Sequence, residues 1–483
     1  MKKLTRRTFV VAGVAGAQWA LVGCGGGGNG AALSATSTPE ASASSLNSAT
    51  SLSVSGQGSG SAPSAPANLA SWVPTAGQVA VLSQANGKLS NSFVSRCAPY
   101  FDPPYSAKIC NDYSGSFLNP HFGSHGAILF FGGGHAGTND NSLMALVLGP
   151  DACSFRRMID PTPIFGSDAS AATRYANSTK ISTAFATLLY AEYTVDGKPV
   201  APHSYGSGDV IGPNEGGAAY GTFIRVVTDA GGVGGSIGGE VAHKVDLGSL
   251  SGDAEGGSAT PYRWQRIGNN PGALGAAAAS RISGPQWSAF VPAQNRIYYE
   301  TRSATAQIPP RWFDRATSSY VYGTGKPRAN DSDGPDNGTM FHVPSRNLLI
   351  FMDRQSGTLR IAYMDVSAAQ PNWIGGSAAL SQPLAVSTGW ACACWCADND
   401  RIIVGGVSDD SAAVYEIEIP AVLLSTWAVS RAPFGQGQTI QFADSCTYKK
   451  WSYNQKVRAI VYMPLADANG ANDTVFVYRP RNT

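Results

Sequence analysis

Charge is scarce in this chain. Only 14% of its 483 residues are Asp, Glu, Lys or Arg, and 34 basic residues stand against 32 acidic ones for a net charge of +2. A protein that grips nucleic acid carries a clear basic excess to displace counterions, so the composition does not point to that partner. Helical periodicity is scarce too. Long stretches with apolar residues at 3.6-residue spacing are few, which argues against a helical bundle. Histidine is limited to six residues: His121, His125, His135, His203, His243 and His342. Large apolar residues are nearly missing from residues 25–68, a Gly, Ser, Ala, Thr and Pro stretch whose only charge is Glu40. Such a segment buries too little surface to offset the entropy of ordering, and is expected to be a flexible tether. A flexible chain of that length has a root-mean-square reach of roughly 35–40 Å.

Ahead of the tether, Lys2, Lys3, Arg6 and Arg7 precede an apolar segment, Phe9 to Val22, that is too short and wrongly flanked to span a bilayer. Thr5-Arg6-Arg7-Thr8-Phe9 is similar to a twin-arginine export signal. Leu21-Val22-Gly23-Cys24 resembles a bacterial lipobox. The resemblance implies cleavage before Cys24, lipidation of its thiol, and export in the folded state. Gly25 rather than Asp after the cysteine implies sorting to the outer membrane. The expected organisation is a signal peptide over 1–23, a lipidated cysteine and linker over 24–70, and a folded domain over 71–483.

What the folded part has in plenty is glycine, 56 in the whole chain, and aromatic side chains, 10%. Short apolar runs alternate with Gly, Asn, Asp and Pro, the pattern of many short antiparallel strands. Four segments align as strand, tight polar turn, more apolar strand: Ser288–Arg302, Met340–Arg354, Cys392–Val407 and Trp451–Met463. Their turn residues Asn295, Asn347, Asp400 and Gln455 lie 52, 53 and 55 apart, a spacing that suits four-stranded blades. Two looser copies begin at Asn119 and Pro202. Several copies continue into a second hairpin, with Trp264, Trp373 or Trp427 near its end.

This strand, strand, polar loop, strand, Trp pattern resembles the kelch and galactose-oxidase-like β-propellers, and the resemblance covers nearly all of residues 71–480. It implies an all-β fold of four-stranded kelch-like blades. Six units are clear, and an 81-residue gap between Asn214 and Asn295 leaves room for another. Seven blades are therefore expected, with six as the alternative. Val477–Pro480 is expected to pair with the strand near Gln78–Leu82, closing the ring and removing open edges. By the same resemblance, Gly132–Gly134 end a blade's second strand where no Cβ fits. His135 then begins a loop on the same face as His203 and Tyr205, the face where propeller sites usually form.

Eight cysteines are present. With Cys24 assigned to lipid, an odd number remains for an oxidising compartment. Cys97 and Cys110 are the expected disulfide, closing a loop in an irregular region. Cys392, Cys394 and Cys396 alternate on one strand and share a face. They read as small buried residues, one of them bridged to Cys446 or Cys153, rather than as ligands of a soft metal. No metal site is expected from them.

The galactose-oxidase reading fails on residues. That family needs an adjacent Tyr-His ligand pair and a Tyr–Cys crosslink, and no Tyr-His dipeptide occurs here. The order His121, His135, His203-Ser204-Tyr205, Arg225 is similar to that of propeller-fold polysaccharide lyases of the ulvan type. β-Elimination removes a weakly acidic proton beside a uronate carboxylate. It needs an Arg or a neutral His to neutralise that carboxylate and a Tyr or His as acid/base for the proton. The resemblance implies catalytic roles for His135, His203, Tyr205 and Arg225, and sugar contacts from His121 and His125. The recurring tryptophans Trp287, Trp390 and Trp451 stand at blade entrances, and Trp287 is expected to stack on substrate. His243 reads as structural. Asp331, Asp333 and Asp336 form part of a calcium-like loop, without its closing Glu; His342 stands there instead. Gly234–Gly238 matches GxSxG but lies in a Gly-rich hairpin rather than a strand-to-helix turn.

The expected function is an exported, lipid-anchored monomeric propeller that binds or acts on cell-envelope glycans. If it is an enzyme, it cleaves acidic polysaccharide. The alternative is a non-catalytic propeller that scaffolds glycans or envelope proteins.

Overall fold

The computed structural model describes residues 69–93, 115–132, 141–160, 198–199, 204–229, 238–250, 262–274, 286–301, 309–328, 338–374, 378–387, 390, 392–408, 410–442, 448–464 and 474–483. It is all-β. The chain opens with β1 (Val79–Leu82) and then lays down antiparallel sheets one after another. The first blade is β2 (Ser116–Asn119), β3 (Ala127–Phe131), β4 (Leu143–Leu148) and β5 (Cys153–Ile159). The second is β6 (Asp209–Ile211), β7 (Thr222–Arg225), β9 (Gly238–Asp246) and β10 (Trp264–Leu274), with a two-residue β8 (Thr228–Asp229) also paired to β9.

The third blade is β11 (Gln286–Val291), β12 (Arg296–Thr301), β13 (Arg311–Asp314) and β14 (Ser319–Tyr322). The fourth is β15 (Gly338–Val343), β16 (Leu348–Gln355), β17 (Thr358–Asp365) and β18 (Trp373–Ile374). The fifth is β19 (Ala393–Cys396), β20 (Arg401–Val404), β21 (Ala413–Glu418) and β22 (Val429–Pro433). The sixth is β23 (Trp451–Asn454), β24 (Ala459–Tyr462) and β25 (Val475–Tyr478), completed on its outer edge by β1.

That last sheet closes the ring. Val79 pairs with Tyr478 and Leu82 with Val475, as the sequence suggested. The free edge of β1 is not left bare: Gln438 accepts from the Val79 N–H at 2.8 Å and donates to its carbonyl at 3.0 Å. Both ends of the chain's folded part thus hold one sheet, and its edge is covered.

The blade number is six among the described residues, the smaller of the two expected values. The long gap before Asn295 is filled by β7 to β10 of one blade, whose β10 runs to 11 residues, rather than by an extra sheet. Among the described residues the extra chain length lengthens strands of this blade and adds no hairpin unit.

The tight turns explain the repeat. In the third and fourth blades a Pro begins a single 3-10 turn, and Asn295 (φ 55°) or Asn347 (φ 52°) ends it in the left-handed region. Asn tolerates that conformation better than other non-glycine residues, which is why Asn recurs there. Asp400 does the same at φ 52°. In the sixth blade the left-handed residue is Arg458 at φ 51°, not Gln455. The hairpin from β16 to β17 turns on Ser356 and Gly357, both with positive φ, between the paired Gln355 and Thr358. Two such residues match the twist of the flanking strands.

The first strand of each blade lies innermost, and these strands contact one another in turn around an axis: β2, β6, β11, β15, β19, β23 and back to β2. Apolar side chains fill the wedges between blades. One cluster joins the sixth blade to the first, one the first to the second, one the second to the third, one the third to the fourth, and one spans the fourth, fifth and sixth. Each interface buries the faces of two sheets, so the ring is held by a closed series of small cores.

Candidate functional site

The inner strands surround a cavity of about 420 Å³ on the axis, within the size range of small-molecule sites. All six blades line it. One end lies where the inner strands begin, at Ser116, Gly208, Asp209 and Lys449. The other lies where they turn back, at Pro120, His121, Glu215, Pro292 and Pro344. Pro292 and Pro344 are exposed, so the cavity opens at this hairpin end. Between the ends the wall carries the part-exposed rings of Phe290, Phe341 and Trp395.

A polar cluster sits at the inner end. The Lys449 ammonium donates to the Gly208 carbonyl at 2.7 Å and to Asp209 Oδ1 at 3.1 Å. Ser288 Oγ donates to Asp209 Oδ2 at 2.5 Å. The Lys449 and Asp209 side chains are only 14% and 12% exposed. Burial pulls the Lys449 ammonium below its ordinary range, and Asp209 opposes that shift. Burial raises the Asp209 carboxyl, against the pull of Lys449 and Ser288. Each group is displaced by lost hydration and restrained by its partner, as expected of a buried pair. Lys449 has a left-handed backbone (φ 50°), a conformation that costs of order 1 kcal/mol outside glycine and is held by its surroundings.

The mouth is different. Pairing across the hairpins fixes Phe290, His342 and Trp395 at the same register position, one residue before the strand ends Val291, Val343 and Cys396. His342 is half-buried, and its Nε2 is buried with no hydrogen-bond partner among the described residues. Burial pushes its pKa down to about 4, so the ring is neutral at pH 7. The Trp395 indole N–H donates to Asp400 Oδ1 at 3.0 Å, which fixes the ring on the wall. The His121 pKa is also lowered, first by burial, against the nearby Glu215 charge. His121 packs on Gly212, where an added Cβ would stand 2.6 Å from its Nε2. Glu215 accepts the Gly212 N–H at 2.8 Å, and the Arg315 guanidinium donates to the Glu215 carbonyl at 3.0 Å.

Of the residues expected to form a lyase site, the described ones are His121, His125, Tyr205 and Arg225. His121 and His125 follow β2 and precede β3, at the hairpin end. His135 and His203 lie outside the described residues. Tyr205 precedes β6 on the loop side; it is 4% exposed, has φ 42°, and meets Tyr448 edge to face at 5.0 Å. Arg225 is 3% exposed and lies over the Phe131 ring at 5.0 Å, in the interface between the first and second blades. A guanidinium there is covered by protein rather than presented to a sugar carboxylate. His125 accepts from or donates to Ser124 Oγ through Nδ1 at 2.8 Å, outside the cavity lining.

Trp287 is a correction. It was expected to be exposed for stacking, but it has no exposed surface and packs edge to face on Phe351 at 4.9 Å. Trp390 and Trp451 are buried too. Recurrence at a fixed blade position marks a packing site here, since every blade must fill the same wedge. His243 is fully buried in β9 beside Trp264. Cys153, Cys392, Cys394 and Cys396 are buried thiols that form no disulfide, so the bridge expected of one of them is not made. Burial raises the Cys153 and Cys396 thiols to about 12, which keeps them protonated. Cys24, Cys97, Cys110, Cys446, Asp331, Asp333 and Asp336 lie outside the described residues.

The sequence reading missed Asp209, Ser288, Lys449 and Trp395. Asp209 and Lys449 are 240 positions apart, so no local motif joins them. A signal was present in the repeat. Phe290, His342 and Trp395 hold one register position, and a large ring there in three blades marks the wall of a shared space.

No family model and no curated protein matches this chain. Among solved structures, it resembles a protein of unknown function from Bacteroides thetaiotaomicron at 11% identity and a TM-score of 0.41, over 83% of this chain and 76% of that one. An auxiliary nutrient binding protein from Bacteroides ovatus aligns at 9% identity and a TM-score of 0.35, over 77% and 69%. An oligogalacturonate lyase in complex with manganese aligns at 11% identity and a TM-score of 0.34, over 76% of each chain. None reaches a TM-score of 0.5, and the propeller assignment stands on the sheet order itself.

Proposed function

We propose that this chain is a glycan-binding propeller of the cell envelope, exported by its twin-arginine signal and held to the outer membrane through a lipid on Cys24. The observation that carries the reading is the axial cavity: an aromatic wall with a few fixed hydrogen-bonding groups, opening to solvent. Aromatic rings pack on the C–H faces of sugars, and scattered donors and acceptors fix their hydroxyl groups. What supports binding over cleavage is the burial of Arg225 against Phe131 in a blade interface, which takes it away from a sugar carboxylate.

One observation favours the second reading, a polysaccharide lyase on the loop face. Tyr205 holds a left-handed backbone at the start of the second blade, and such strain clusters at working sites. One experiment tests both. The full chain is mixed with a panel of neutral and uronate-containing polysaccharides, with retention read by affinity electrophoresis and β-elimination by ultraviolet absorbance. Retention with a flat absorbance supports binding. A rising absorbance that Tyr205→Phe abolishes establishes the lyase instead, and neither signal rejects both.

A further inference from the structure

We propose that the axial cavity takes the end of an uncharged saccharide, entering from the hairpin face, with Lys449 and His342 as its polar contacts and Trp395 as its stacking ring. The proposal rests on the glycan reading and names the ligand class and the site.

Hydrogen-bonding capacity on the cavity wall is left unused. An ammonium has three N–H donors. The Gly208 carbonyl and Asp209 take two of those on Lys449, and the third has no acceptor among the described residues. His342 Nε2 is likewise buried without a partner among them. A buried polar atom left unpaired costs about 1–3 kcal/mol, and a ligand hydroxyl would relieve it.

The two polar groups are also well separated. Lys449 precedes the start of β23 at Trp451, while His342 is the last residue but one of β15, so they stand toward opposite ends of the inner strands. Phe290, Phe341 and Trp395 line the space between and at the mouth. This is a slot for an elongated, ring-bearing molecule with oxygen atoms at both ends, not for a single ion.

The charge on the lining points the same way. The Lys449 ammonium is already matched by Asp209 at 3.1 Å. The two histidine rings on the wall are neutral at pH 7. Glu215 is the remaining charged group of the lining, and it is negative. The lining offers no cation for a uronate carboxylate, and a buried carboxylate without a partner is costly. The cavity therefore selects against the acidic sugars that the sequence suggested.

The test is isothermal titration of the full chain with maltose, cellobiose and lactose, against digalacturonate and a glucuronate disaccharide. Binding of a neutral disaccharide is expected, with none from the acidic pair. Trp395→Ala and His342→Phe should each weaken it about tenfold or more, the loss of one good contact. Leu424→Ser, at an 82% exposed position in the loop before β22, should leave it unchanged. His342→Phe keeps ring size, so it remains informative if Trp395→Ala does not fold. Neutral binding unchanged in the variants places the site elsewhere, and the cavity proposal falls while the glycan reading stands. Binding of the acidic sugars alone overturns the ligand class, with the same consequence. If no disaccharide binds but polysaccharides are retained, the cavity proposal alone is overturned; if those also fail, both readings are.

Discussion

At the inner end of the axial cavity, Lys449 and Asp209 match each other's charge and Ser288 bonds the carboxylate, while at the mouth His342 keeps a buried ring nitrogen with no partner among the described residues. Both ends are polar, and both are partly shielded from water. They differ in what holds them. The inner groups are charged and matched, so removing one harms the fold. The His342 ring at the mouth is neutral and lacks a partner for Nε2, so removing it should harm binding more than folding. A wall can be polar for stability or polar for a ligand, and partner satisfaction tells the two apart.

Breaking the inner pair should have the largest effect. Lys449→Met leaves Asp209 buried without its cation and should cost about 3–5 kcal/mol, read as the urea midpoint of unfolding. Adding Asp209→Asn should recover much of that loss, because both charges are then gone. If Lys449→Met is as stable as the parent, the pair is not structural and the contrast collapses.

The mouth can be probed by pH. The His342 pKa is depressed from 6.5 to about 4 by burial, so the unfolded chain takes a proton before the folded one does. Its contribution to stability is full above pH 6.5, declines as pH falls toward 4, and is constant below that. The span is worth up to about 3 kcal/mol. His342→Phe should flatten this part of the profile in urea titrations at pH 7, 5.5 and 4, leaving the smaller share from His121.

A finer cut uses Gly212. Its substitution by Ala brings a Cβ to 2.6 Å from His121 Nε2, so the imidazole must move. Gly212→Ala should lower stability by about 1 kcal/mol, because a side-chain end can yield, yet weaken saccharide binding measurably. At the bottom of the scale, Leu424→Ser should change stability by less than about 0.5 kcal/mol and binding not at all.

Much of the fold was legible because its units are local. Strand alternation, a turn with Asn in the left-handed region, and a second strand recur within about 15 residues, and Asn295 and Asn347 take the conformation their identity favours. The pairing of Val79 with Tyr478 was legible because a propeller must cover its edges. The blade count was harder to read, since β9 and β10 of the second blade absorb length that sequence alone could assign to another sheet. The site was largely illegible. Asp209, His342, Trp395 and Lys449 come from four blades, and only the ring geometry brings them to one axis. Residue order offered His121, Tyr205 and Arg225 as one site. It could not show that His121 leaves its strand at the far end, or that Arg225 turns onto Phe131.

The central claim is that the axial cavity is a saccharide site. Its most direct test is diffraction from crystals of the protein grown with the neutral disaccharide that binds best. The account predicts density for a sugar ring against Trp395, within hydrogen-bond distance of His342 Nε2 or Lys449 Nζ. Density for the sugar on the loop face, with the cavity holding only water, would contradict it.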